Sequence, residues 1–169
     1  VGNKFSASEA DRFISVRLIS FLAEVIQMNK PFKDDKEVKE LVRAFEGCTI
    51  HPAEFKHYQH LAIALWYVAN FSYDEATVKV RTGIQKLAAA YGKSGYHETI
   101  TLFWLAIVRE FCARSHSHSI ADLANNLAFE CADKNLIRNH YSEELLTSDR
   151  AKHGWVAPDL KPLADLAEV

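Results

Sequence analysis

Cysteine, glycine and proline are all scarce in this chain, and each scarcity excludes something. The three cysteines, Cys48, Cys112 and Cys131, are an odd number at wide spacing with no CxxC pair. That pattern suits packing thiols in a reducing compartment better than a disulfide framework or a zinc knuckle. His51 follows Cys48 by three residues and His116 follows Cys112 by four, spacings that by themselves indicate no thiol nucleophile. Six glycines and four prolines leave few breaks, and strict alternation of apolar and polar residues is rare, which argues against a sheet. An excess of charge of either sign is missing too: Lys and Arg number 20, Asp and Glu 22, interspersed, for a net charge of −2. Neither nucleic acid nor an anionic membrane is an expected partner of such a surface. The longest uncharged apolar stretches, 61–71 and 99–108, are too short to span a bilayer. Arg12 and Arg17 interrupt the early apolar residues, so no secretion signal is expected, and the expected location is the cytoplasm. Gly-x-Ser-x-Gly is missing, and Gly92-Lys93-Ser94-Gly95 lacks the spacing of a phosphate-binding loop.

What remains is helical spacing. A chain of 169 residues suffices for one domain that buries about 70% of its unfolded surface. Ser6 or Ser8 caps a first helix with a stripe through Phe13, Val16, Leu18, Phe21, Leu22 and Val25, ending near Asn29-Lys30-Pro31. A charged second helix runs from about Asp35 to Phe45 and stops at Gly47. A third spans about 53–70, with Pro52 suited to its first turn. Ser72 caps a fourth, with Asp74 and Glu75 in its first turn, which stops at Gly92. A strongly apolar fifth covers about 97–114, and Ser119 caps a sixth. Ser142 and Ser148 are placed to cap brief helical turns, and the tail from Trp155 runs extended over the body. Trp66, Trp104 and Trp155 and the ten phenylalanines fill the core and its joints. The expectation is an all-α, single-domain bundle of about six main helices spanning 1–169, with 1–5 and 157–169 extended or flexible.

Two short windows concentrate the polar residues of the apolar faces. In Glu54-Phe55-Lys56-His57-Tyr58-Gln59-His60, residues 54, 57 and 60 are three apart, so on a helix they are neighbours on successive turns. His57 also begins an apolar stripe through Leu61, Ala64, Leu65 and Val68, which points the imidazoles inward. The second window, Gly95-Tyr96-His97-Glu98-Thr99-Ile100-Thr101, opens the fifth helix. His57, His60 and His97 with a carboxylate have the composition of an open-sided coordination sphere for zinc or non-haem iron. Three readings stay open: a metal site, a metal-free polar pocket, and hydrogen-bonded core histidines. Neither HExxH nor a second ExxH is present, and HxxH alone is a common coincidence. His116 and His118 read as a solvated helix end, and His140 and His153 stand alone.

The chain also resembles a family of small uncharacterised bacterial all-helical proteins over about 45–163. The resemblance rests on Phe55-Lys56-His57-Tyr58-Gln59-His60-Leu61 followed by Trp66-Tyr67, on Tyr96 to Thr101 followed by Trp104, and on a closing segment. That segment, from Tyr141 to Leu163, includes Tyr141-Ser142, Leu145-Leu146, Ser148, Ala151-Lys152 and Pro158-Asp159-Leu160-Lys161-Pro162-Leu163. Lys56 stands where the family usually carries a small or hydroxyl residue. The resemblance implies that His57, His60 and His97 belong to one shared feature and implies no activity. Tyr141, Arg150 and Trp155 either wall that feature or, as the commoner case, pair locally and pin the tail.

The leading expectation is a metal-dependent small-molecule enzyme. His57, His60 and His97 would ligate zinc, iron, nickel or copper, while Glu98 or Glu54 would complete the sphere or act as general base. The alternative is a non-catalytic helical binding or oligomerisation module. It would hold a buried histidine network and present an apolar face to a second copy, as a homodimer.

Overall fold

The computed structural model describes residues 30–51 and 53–163. Backbone proximity divides the chain after Pro31, and the unit that begins at Phe32 is the one described below. The helix expected before Asn29, Pro52 at the next helix start and the tail after Leu163 lie outside the described residues.

Among the described residues every regular element is helical: α1 (Asp35–Glu46), α2 (His57–Asn70), α3 (Tyr73–Ala90), α4 (Glu98–Arg114), α5 (Ile120–Glu130), a 3₁₀ turn (Leu136–Asn139), α6 (Glu143–Thr147) and α7 (Asp149–His153). None of them is long and apolar enough to cross a membrane. The fold is an all-α bundle.

Local chemistry explains the ends. Asp34 Oδ1 accepts the backbone N–H groups of Lys36 and Glu37, satisfying two orphan donors of α1. At the other end the Thr49 N–H donates to the Ala44 carbonyl and the Cys48 N–H to that of Phe45. This is the Schellman arrangement, and it puts Cys48, not Gly47, in the left-handed region with φ 53°. The end of α3 repeats it with a glycine: Gly92 (φ 63°) donates to Ala89, and Lys93 to Ala88. Ser72, Ser119, Ser142 and Ser148 all cap as their spacing predicts, each hydroxyl accepting the N–H three residues on.

One expected boundary moves. The third helix of the sequence reading was to start near 53, but Ala53 and Glu54 sit in a turn and α2 begins at His57. Gln59 Oε1 accepts the Lys56 N–H, which fixes the start there. Glu54 is therefore exposed on the approach and does not share a helical face with His57.

From Leu61 to Leu65 every residue of α2 is buried, as is Tyr67. A helix apolar on all sides needs neighbours on all sides, and α1, α3, α4 and α5 surround it. Phe45 of α1 lies so close to α3 that a Cβ on Gly83 would sit 2.2 Å from its ring. Asn125, buried, accepts the Phe32 N–H at 3.0 Å and donates to its carbonyl at 2.8 Å, locking α5 to the segment before α1. A second core forms on the other side of α4 from Phe103, Ala106, Ile137, Tyr141, Leu146, Ala151, Val156 and Leu163. Trp104 and Ile107 pack against both cores, so α4 is the wall they share.

Candidate functional site

The two histidine windows lie at the starts of α2 and α4, and the fold treats them differently. His57 Nε2 is 2.9 Å from the Cys131 carbonyl oxygen, and His60 Nδ1 is 2.9 Å from the Lys56 carbonyl oxygen. A carbonyl only accepts, so these nitrogens carry the protons and His57 Nδ1 and His60 Nε2 keep their lone pairs. Neither of those lone pairs has a partner among the described residues.

Both imidazoles border a cavity of about 300 Å³. Leu61 and Ala64 of α2, Val80 and Ile84 of α3, and Ile100 and Leu105 of α4 form its apolar wall. The Trp104 indole meets the His57 ring edge-on at 4.6 Å between centroids. Beside His57 the chain after α5 contributes Lys134, which forms no ion pair among the described residues.

Burial holds the His57 pKa below 6.5, against the bond to Cys131; the Lys134 charge lowers it further and Asp133 partly offsets that. His60 is exposed as a residue, but its ring stacks on Phe55 at 3.7 Å, and that loss of hydration lowers its pKa. The neighbouring His57 acts in the same direction. Both rings are neutral at neutral pH, as ligand acceptors require.

The second window is consumed by the fold. His97 caps α4: its Nδ1 accepts the Ile100 N–H at 3.3 Å, and its Nε2–H donates to the Leu146 carbonyl at 2.8 Å. Neither lone pair nor proton is left over. Glu98, 9% exposed, receives the Arg81 guanidinium on both carboxylate oxygens and the Tyr96 hydroxyl on Oε2. Burial and this bond push the Tyr96 pKa up to about 12. Thr99, fully buried, donates to the Gly154 carbonyl at 2.8 Å and accepts the Val156 N–H at 3.3 Å. Thr101 donates to the His97 carbonyl.

His57, His60 and His97 are thus not brought together. His57 and His60 line the cavity; His97 does not, nor do Glu98 and exposed Glu54. Among the described residues no three His, Cys, Asp or Glu side chains are placed to hold one metal ion. The physical reason lies in the caps: a histidine that closes a helix N-terminus with one nitrogen and pins Leu146 with the other has no lone pair to give.

The remaining candidates are structural. The Tyr141 hydroxyl donates to the Val156 carbonyl, and Trp155 meets Tyr141 edge-on at 6.3 Å. Ser142 donates through both its N–H and its hydroxyl to Asp159. Arg150 is exposed, with no ion pair among the described residues. His116 and His118 are exposed, and buried His140 donates to the Lys161 carbonyl. Burial pushes the Cys112 thiol up to about 11 and raises that of Cys131, the opposite of an activated nucleophile. Sequence reasoning missed Lys134, whose role depends on α5 returning to α2, and Arg81, a helix-surface cation with no distinguishing context. No protein-family model, curated protein or solved structure matches the chain, so the chemistry of the cavity has to be read from its own walls.

Proposed function

We propose that the protein is a binding module for a small amphipathic molecule. The ligand seats an apolar body between α2, α3 and α4 and turns a polar head toward His57, His60 and Lys134. One observation carries this reading: an apolar cavity of about 300 Å³ bordered by two neutral imidazoles with spare lone pairs and by an ammonium with no ion pair among the described residues. That is the usual make-up of a small-ligand site, with apolar walls for affinity and a few polar groups for orientation. An imidazole lone pair that faces an apolar cavity has a ready use for a ligand hydroxyl or acid proton, which it can accept.

The metal-enzyme reading has less support, because its third imidazole and both its carboxylates are placed elsewhere. The test uses isothermal titration with octanol as an apolar probe carrying one hydroxyl. Saturable binding that Ala64→Trp removes, with the circular dichroism spectrum unchanged, is the expected result. No binding of octanol to the folded chain would overturn it. So would a stoichiometric transition metal in untagged protein that disappears in His57→Ala/His97→Ala.

A further inference from the structure

We propose that this ligand also carries a phosphomonoester, held in a second cavity on the other side of Ile100 and Trp104, while its first polar group stays at His57 and His60; the inference rests on the binding reading above. The second cavity measures about 340 Å³ and lies between the start of α4, the segment 134–138 and the α6–α7 pair. Ile100, Trp104 and Lys134 border both cavities, so one molecule following the Lys134 side chain meets both.

The chemistry changes across that border. The first cavity is walled by aliphatic side chains. The second is lined by Lys134, Arg138 and Lys152, with Glu143 as its one carboxylate. Glu143 is bound to Arg138, and the Lys152 ammonium reaches Asp149 only at 3.6 Å, where the Asp149 side chain is 90% exposed. Such an exposed pair contributes little and leaves Lys152 available. Lys134 has no ion pair among the described residues. His97, which also borders this cavity, offers nothing because both its nitrogens are engaged.

Lys134 and Arg138 from one segment and Lys152 from another, offset only by the Glu143 carboxylate that Arg138 holds, suit a compact dianion with several acceptor oxygens better than one carboxylate, which a single lysine or arginine would satisfy. A phosphomonoester carries close to two charges at neutral pH. An apolar body on the α2–α3 side and a phosphate on the α6–α7 side account for both cavities at once. The shared chemistry also occurs in phospholipid headgroups; the proposal is for a free molecule, and a vesicle arm separates the two.

The experiment titrates the full chain with octanol, octyl phosphate and inorganic phosphate, and sediments it with vesicles of phosphatidic acid. Octyl phosphate should bind about tenfold or more tighter than octanol, the scale of charge-assisted contacts to a phosphate. Lys152→Gln, which leaves the first cavity untouched, should remove most of that advantage and leave octanol binding unchanged. Adding Lys134→Gln should abolish it. Raising salt should shrink the advantage as exposed charges are screened, and inorganic phosphate should compete with octyl phosphate but not with octanol. If octanol binds and octyl phosphate binds no tighter, this inference falls and the binding reading stands. If neither binds, both fall. Retention on phosphatidic acid vesicles without any response to free octyl phosphate also overturns it.

Discussion

The two helix starts that carry histidine, at α2 and at α4, look alike in sequence and do opposite work. At α2 each imidazole spends one nitrogen on a backbone carbonyl and keeps the other for the cavity. At α4 every polar side chain from Tyr96 to Thr101 is bonded inside the protein. The segments they face account for the difference. The start of α2 meets a wall of apolar side chains and one flexible lysine, none of which needs an imidazole. The start of α4 meets Arg81 on one side and the ends of α6 and α7 on the other, whose carbonyls and N–H groups all need partners. A dense polar motif is therefore a fastening where backbone ends converge on it, and a site only where its groups stay unspent.

Thr99→Val tests the fastening most severely, because it strips the Gly154 carbonyl and the Val156 N–H of their shared buried partner. It should cost about 2–3 kcal/mol in urea unfolding and leave octanol affinity alone. Glu98→Gln follows, at about 2 kcal/mol. The loss is less than for a fully buried pair because the Arg81 side chain, 35% exposed, can rehydrate.

His97 and His57 then form a direct contrast. His97→Ala should lower stability by about 1–2 kcal/mol through the lost cap and the Leu146 bond, with ligand affinity unchanged. His57→Ala should reverse the pattern, weakening octanol binding about tenfold for about 1 kcal/mol or less of stability. If His97→Ala instead abolished binding at unchanged stability, the distinction between the two windows would be lost.

The smallest effect is in pH. The folded pKa values of His57 and His60 lie below 6.5, so below that pH the unfolded chain binds more protons than the folded one. Their contribution is fully present above about 6.5. It is lost as the pH falls toward the lowered folded values. Thermal unfolding between pH 7 and pH 5 should show that decline, and His57→Gln/His60→Gln should flatten it.

Much of the architecture was legible. Serines at 72, 119, 142 and 148 cap helices because a hydroxyl next to a helical stripe has a local partner three residues on, and no distant contact is needed. The stripe through Leu61, Ala64, Leu65 and Val68 marked one inward face of α2, whereas the structure buries every position from Leu61 to Leu65. One local reading failed for a near-neighbour reason: α2 starts at Gln59's bond to Lys56 and not at Ala53. The site was half legible. Spacing placed His57 and His60 toward the interior, but Lys134 comes from the chain beyond α5, and nothing in the string His97-Glu98-Thr99 reveals that Arg81, Leu146, Gly154 and Val156 arrive there to occupy it.

By itself, then, the sequence determined the helices, most of their ends and the apolar faces that must meet, because propensity, capping and periodicity act over a few residues. Tertiary structure alone decided which polar groups were left unspent. A hydrogen bond is a matter of ångströms between groups that, for His57 and Cys131 or Thr99 and Val156, are dozens of positions apart in the chain. Which histidine is a fastening and which faces a cavity is fixed by those distances, and local spacing carries no record of them.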